Sequence, residues 1–117
     1  RQIHELGLIA FFHSDGNLNS ILPDLAACEL DGLQGLEPEA GMTVPGVRER
    51  IGNTLTLWGN LSFDFLSAER TEQEIEKAVK SIADGGGKLI LGSCGGLVEG
   101  LNSETVRKVH RIAYKSA

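Results

Sequence analysis

His13-Ser14-Asp15-Gly16-Asn17 follows the apolar run Leu8-Ile9-Ala10-Phe11-Phe12, and Ser93-Cys94-Gly95-Gly96 follows Leu89-Ile90-Leu91-Gly92. Both segments place metal-ligand residue types at the end of a run that reads as a strand. In a parallel β/α fold the carboxy-terminal ends of the strands share one face, so segments distant in sequence meet there. Imidazole, thiolate and carboxylate gathered on one face match the donor set of zinc. His13, Asp15 and Cys94 are therefore the candidate metal ligands. Glu37 follows a weak strand and precedes Pro38. It falls on the same face, as a fourth ligand or as a general acid/base, with Asp15 as the second catalytic candidate.

Each of these residues has a plainer alternative. His13 can be a hydrogen-bonded loop histidine, and Asp15 before Gly16 can make an Asx-type turn into a helix. Glu37 can be a solvated loop residue, and Cys94 part of a small-residue turn. Trp58 and Asn60 are placed to line a pocket mouth, with barrel core as the plainer role for Trp58. His4 and His110 fall on helices away from this face and read as surface residues. Cys28 takes an apolar helical position and reads as packing. Gly85-Gly86-Gly87 and Gly95-Gly96 do not make the G-x-G-x-x-G of a dinucleotide site, so phosphate binding is a poor fit.

The elements that must position these residues alternate between strand and helix. Strands are expected near residues 8–13, 33–37, 54–59 and 88–92. The first run is too short for a helix, and Thr54-Leu55-Thr56-Leu57-Trp58-Gly59 is rich in β-formers. Asn19 or Ser20 as N-cap and Pro23 in the first turn open a helix that Asp31-Gly32 closes. A short helix is expected from Pro45 to Ile51, stopped by Gly52-Asn53. Thr71-Glu72-Gln73-Glu74 is a capping box. Ile75, Ala78, Val79 and Ile82 then lay an apolar stripe on a helix running to about Asp84. Asn102 or Ser103 caps a last helix. The opening residues, Arg1 to Gly7, read as the last turns of a helix closed by glycine. With no initiator Met before them, the expectation is a chain truncated at its amino terminus.

Four parallel βα units fit either half of a (β/α)8 barrel or a small doubly wound sheet. A closed barrel has eight strands and about 250 residues, whereas this chain has 117 residues. They read as one α/β domain, residues 1–117, with no internal repeat or linker. A net charge of −5 without a Lys/Arg cluster argues against nucleic acid. The apolar runs are too short to span a bilayer. No leader pattern opens the chain, and Cys28 and Cys94 form no disulfide pattern. A reducing, cytoplasmic setting is expected.

Four segments, taken in order, resemble the carboxy-terminal half of the uroporphyrinogen decarboxylase superfamily. They are Phe12-His13-Ser14-Asp15-Gly16-Asn17, Asp31-Gly32-Leu33-Gln34-Gly35-Leu36-Glu37-Pro38, Leu57-Trp58-Gly59-Asn60-Leu61 and Gly92-Ser93-Cys94-Gly95. The resemblance implies half of a TIM barrel and one of two chemistries. One branch decarboxylates the acetate arms of a tetrapyrrole without a cofactor, and usually carries Lys-Asp-Gly at the first segment and Gly-His-Gly at the last. The other holds zinc and moves methyl groups between a corrinoid and an acceptor thiol or methylated donor. It usually shows His-x-Cys-Gly at the first segment and Cys at the last. His13 and Cys94 match the zinc branch, whereas Asp15 stands where its first Cys would be.

The resemblance therefore implies a fragment of a zinc-dependent, corrinoid-linked methyltransferase, acting on a small molecule or on a corrinoid carried by a partner protein. The alternative is the uroporphyrinogen III decarboxylase itself. No Arg falls at the strand ends to receive its carboxylates, although the family's basic residues come mostly from the other half. A second alternative is an inactive half-barrel that self-associates through its open strand edges, as a homodimer or higher oligomer. The chain alone is expected to lack turnover.

Overall fold

A computed structural model describes residues 1–116. Among them, four strands form one parallel sheet in the order β1-β2-β3-β4. β1 spans Phe11–Ser14, β2 Gly32–Gly35, β3 Thr56–Leu61 and β4 Leu89–Ser93. The helices are α1 (Gln2–Glu5), α2 (Leu22–Ala27), α3 (Val44–Ile51), α4 (Phe63–Ser67), α5 (Glu72–Ala83) and α6 (Ser103–Ser116), with a 3-10 turn at Pro38–Ala40. Strand order that never reverses means that successive right-handed crossovers put every helix on the same side. A doubly wound sheet reverses and takes helices on both sides. The chain is therefore singly wound, half of a (β/α)8 barrel.

The register explains which side each residue faces. His13, Gln34, Trp58 and Ile90 align across the sheet, and so do Phe12, Leu33, Leu57 and Leu89 one residue earlier. Adjacent rows point to opposite faces. Leu33 and Leu57 are buried with Leu22, Met42, Val44, Val47, Ile75 and Ile82 in the core under the helices. The polar and aromatic row lies on the other face, which is the inside of a barrel. Trp58 is 40% exposed and Ile90 43%. The expectation of Trp58 as barrel core is corrected: it stands on the inner face, but no further layer among the described residues covers it. Phe11 packs edge-on against its ring, 6.1 Å between centroids.

Two glycines end β2 and β3 for a steric reason. A Cβ on Gly35 (φ +105°) would lie 2.3 Å from the Ser14 carbonyl oxygen. On Gly59 (φ +136°) it would lie 2.3 Å from that of Gly35. The strands approach so closely at the carboxy-terminal end of the sheet that only glycine fits.

Several boundaries differ from the sequence expectation. β1 starts at Phe11 rather than residue 8, and Leu8 and Ile9 are exposed. Its register begins at Phe11 against Gly32, so the preceding apolar residues have no strand partner. α2 takes Ile21 as N-cap, not Asn19 or Ser20, because Asn17 Oδ1 accepts the Asn19 amide in a turn of its own. α2 then ends at Ala27, and Cys28 is exposed rather than packed, since it follows the last helical turn. The capping box formed by Thr71 and Glu74 is present as expected. No helix among the described residues is long and apolar enough to cross a membrane.

Candidate active site at the strand ends

All four predicted site residues lie at the carboxy-terminal ends of strands. His13 is on β1, Asp15 just beyond it, Glu37 after β2, and Cys94 directly after β4. The Cys94 amide donates to the Leu61 carbonyl, which fastens this turn to the end of β3. Its thiol is fully buried and donates to the Leu36 carbonyl at 3.6 Å. Leu36 itself has φ +57°, a conformation that sends the chain sharply off β2 and turns Glu37 back over the sheet.

That corner is held by Asn60. Its amide nitrogen donates to the Leu36 and Met42 carbonyls at 2.6 and 2.7 Å, and its oxygen accepts the Val44 amide at 3.2 Å. Asn60 is buried and has φ +79°. Among the described residues, Leu36 and Asn60 are the non-glycine positions with positive φ. Strained backbone of this kind concentrates at functional sites. Asn60 thus supports the site from within rather than lining a pocket mouth alone.

Burial raises the proton affinity of both Glu37 and Cys94, and the Glu37 carboxylate raises that of the thiol further. Burial first, then the neighbouring Glu39, pushes the Glu37 carboxyl up to about 7. Burial first, then the Glu37 charge, pushes the Cys94 thiol up to about 12. Glu39 moves the other way, held below its ordinary range chiefly by a hydrogen bond with Glu37. One carboxylate oxygen of Glu37, Oε1, is sealed from solvent with no hydrogen-bond partner. A buried orphan oxygen beside a buried thiol is a place that receives a cation or keeps a proton.

The exposed half of the site is arranged differently. His13 Nε2 lies 3.5 Å from Asp15 Oδ2, and both side chains are more than half exposed. His13 Nδ1 is hydrogen-bonded to Gln34 Oε1, and Gln34 Nε2 donates to the Cys94 carbonyl at 3.0 Å. Asp15 does not make the Asx turn: Ser14 Oγ accepts the Gly16 amide at 3.1 Å instead. A cleft of about 510 Å³ opens here between Phe11, His13, Asp15, Gln34, Trp58 and Gly95-Gly96. A second, of about 330 Å³, shares Asp15 and Gly95-Gly96 and is lined by Glu37 and Ser93. The two clefts are lobes of one surface above the sheet.

The donor types fit zinc, a nitrogen, a sulfur and carboxylate oxygens. The side chains do not converge as they stand. Among the described residues, no group of three or more His, Cys, Asp or Glu is close enough to hold a metal ion. The buried pair and the exposed pair are separated, with Gln34 between them. Gln34 was not singled out by the sequence patterns. Its signal is a polar residue inside an otherwise small and apolar strand, Gly32-Leu33-Gln34-Gly35.

The fold and these strand-end residues define a singly wound β/α barrel segment with its candidate site at the carboxy-terminal face. The chain belongs to the uroporphyrinogen decarboxylase (URO-D) family, whose model matches residues 1–115. It is similar in structure to a methyltransferase from Methanosarcina mazei, with a TM-score of 0.74 and 26% sequence identity. That similarity covers 97% of this chain and 33% of the methyltransferase, so the chain spans about a third of its length. No curated protein matches the sequence.

Proposed function

We propose that this chain provides the carboxy-terminal, ligand-bearing part of the active site of a zinc-dependent methyltransferase that works with a corrinoid on a partner protein. The observation that carries the proposal is the burial of Cys94, at the end of β4, beside the Glu37 carboxyl, whose oxygen Oε1 is buried without a partner. The likeness to a methyltransferase supports the same branch of the family.

Cys94 and Glu37 would hold the metal from the buried side, and His13 and Asp15 from the exposed side after rotation of their side chains. Zinc, when bound, supplies a Lewis acid that lets a thiol ionise near neutral pH. In the metal-free chain the Glu37 carboxyl is raised to about 7, so its proton would leave readily as the carboxylate takes up the metal. Asn60 keeps Leu36 and Glu37 in place, and the clefts beside Trp58 and Asp15 leave room for a small acceptor. Residues from the rest of a barrel ring complete such sites, so the 117-residue chain alone should lack turnover.

Calorimetric titration with zinc tests the proposal. The native chain should bind, and Cys94→Ser, His13→Ala and Glu37→Gln should each weaken binding by at least about tenfold, as loss of a ligand does. Equal affinity in all four proteins would overturn it.

A further inference from the structure

Gln34 joins His13, 21 positions before it, to the Cys94 turn, 60 positions after it, and the chemistry of its amide fixes more than its own orientation. One end of the amide meets the Cys94 carbonyl, the other meets His13 Nδ1. A backbone carbonyl only accepts, so the NH2 end must be the one that faces Cys94. Turning the amide over would set two oxygens against each other. The oxygen end is therefore fixed toward His13, and a proton must sit on Nδ1 to satisfy it. A neutral imidazole carries one N–H. Its Nε2 is then the bare nitrogen, and Asp15 Oδ2 lies 3.5 Å from it, so two acceptors face each other across a gap that a cation or a proton would fill.

We propose that Gln34 is a positioning residue that locks His13 in the Nδ1–H tautomer, aims the bare Nε2 at the Asp15 side of the cleft, and ties that pair to the Cys94 turn. The proposal rests on the zinc reading for its purpose, though not for its geometry. A histidine that serves a metal through one nitrogen is oriented by a hydrogen bond from the other to a fixed acceptor. Here the acceptor is held in turn by the turn that carries Cys94. Three strand ends are thereby tied together: β1 through His13, β2 through Gln34, and β4 through the Cys94 carbonyl.

The tautomer can be read directly by long-range proton–nitrogen NMR of the metal-free, nitrogen-15-labelled 117-residue chain, at a pH where the His13 ring is neutral. The His13 signals are those that vanish in His13→Gln. The native chain should show a protonated Nδ1 and a bare Nε2. Gln34→Met keeps the length of the side chain but removes the amide, and should shift the population toward the Nε2–H form. Gln34→Glu restores an acceptor and should restore the Nδ1–H form. A native Nε2–H ring, or a tautomer unchanged in Gln34→Met, overturns the proposal. If Gln34→Met fails to fold, an Nε2–H ring in Gln34→Glu overturns it equally. Zinc added to the native sample separates the two ideas. An Nδ1–H ring whose Nε2 ignores zinc keeps Gln34 in this role and sinks the metal reading alone.

Discussion

Glu37 connects burial to a measurable pH dependence. Its ordinary value is 4.5, and burial with Glu39 alongside raises it to about 7. A carboxyl raised by folding stabilises the protonated folded form. That contribution is complete below about pH 4.5 and is lost as pH rises through about 7. Thermal melting of the metal-free chain should therefore show a decline across this window. Glu37→Gln, which keeps the shape and removes the charge, should flatten the decline and melt higher than the native chain above pH 7. Parallel curves for the two proteins would show that the carboxyl is not held as described. The residue itself was legible from sequence, because Glu37 follows a strand and all parallel strand ends share a face. Its partnership with Cys94 was not. That depends on the positive φ of Leu36, and nothing in Gly35-Leu36-Glu37-Pro38 requires a leucine to adopt it. Asn60 imposes it from the next strand.

At the scale of elements, two buried polar side chains do what the short strands cannot. Arg48 on α3 is 8% exposed. Its guanidinium donates to the carbonyls of Gly52, Leu55, Gly86 and Lys88 at 2.7–3.2 Å. It staples the loops that enter β3 and β4 at the end of the sheet opposite the site. Asn60 makes the corresponding knot at the site end. Removing either leaves several buried carbonyls without partners, at about 1–3 kcal/mol for each unsatisfied group. Arg48→Met and Asn60→Ala should each lower the unfolding free energy by roughly 2–4 kcal/mol in urea titration. Asn60→Ala should also weaken zinc binding, whereas Arg48→Met should leave it unchanged in the folded protein. A loss below about 0.5 kcal/mol in either variant would contradict its role as a knot, since that is the scale of an ordinary surface change. Much of this level was visible beforehand: the Thr71 capping box and the stripe of Ile75, Val79 and Ile82 fixed α5 closely. α4 was missed because five residues, Phe63–Ser67, are too few to show a helical period. Its sign was the N-cap alone, Ser62, whose side chain accepts the Phe65 amide.

For the molecule as a whole, the sheet sets the behaviour in solution. β1 and β4 are both edges in a sheet whose order runs from one to the other without reversal. The inner face between them carries Trp58 and Ile90, and the margins carry Ile9, Leu97, Val98 and Tyr114, exposed by 54–80%. Unpaired strand edges beside exposed apolar side chains are a template for association. The β4 edge of one copy is complementary to the β1 edge of another, because a parallel barrel continues in that direction. Two copies related by a two-fold axis would close a ring of eight strands and cover both inner faces. We propose that the 117-residue chain forms this homodimer, and a stable one should bury at least about 1,000 Å². Light scattering at micromolar concentration should give a particle of twice the 12.5 kDa chain mass. Trp58 emission should shift to shorter wavelength as concentration rises, since the indole passes from half-exposed to covered. Ile90→Asp places a charge in the middle of that face and should return the mass to that of one chain, with α-helical circular dichroism retained. A native particle of 12.5 kDa with Trp58 emission independent of concentration would overturn the dimer. It would mean that four strands and one layer of helices are sufficient, and that the inner face stays open to water.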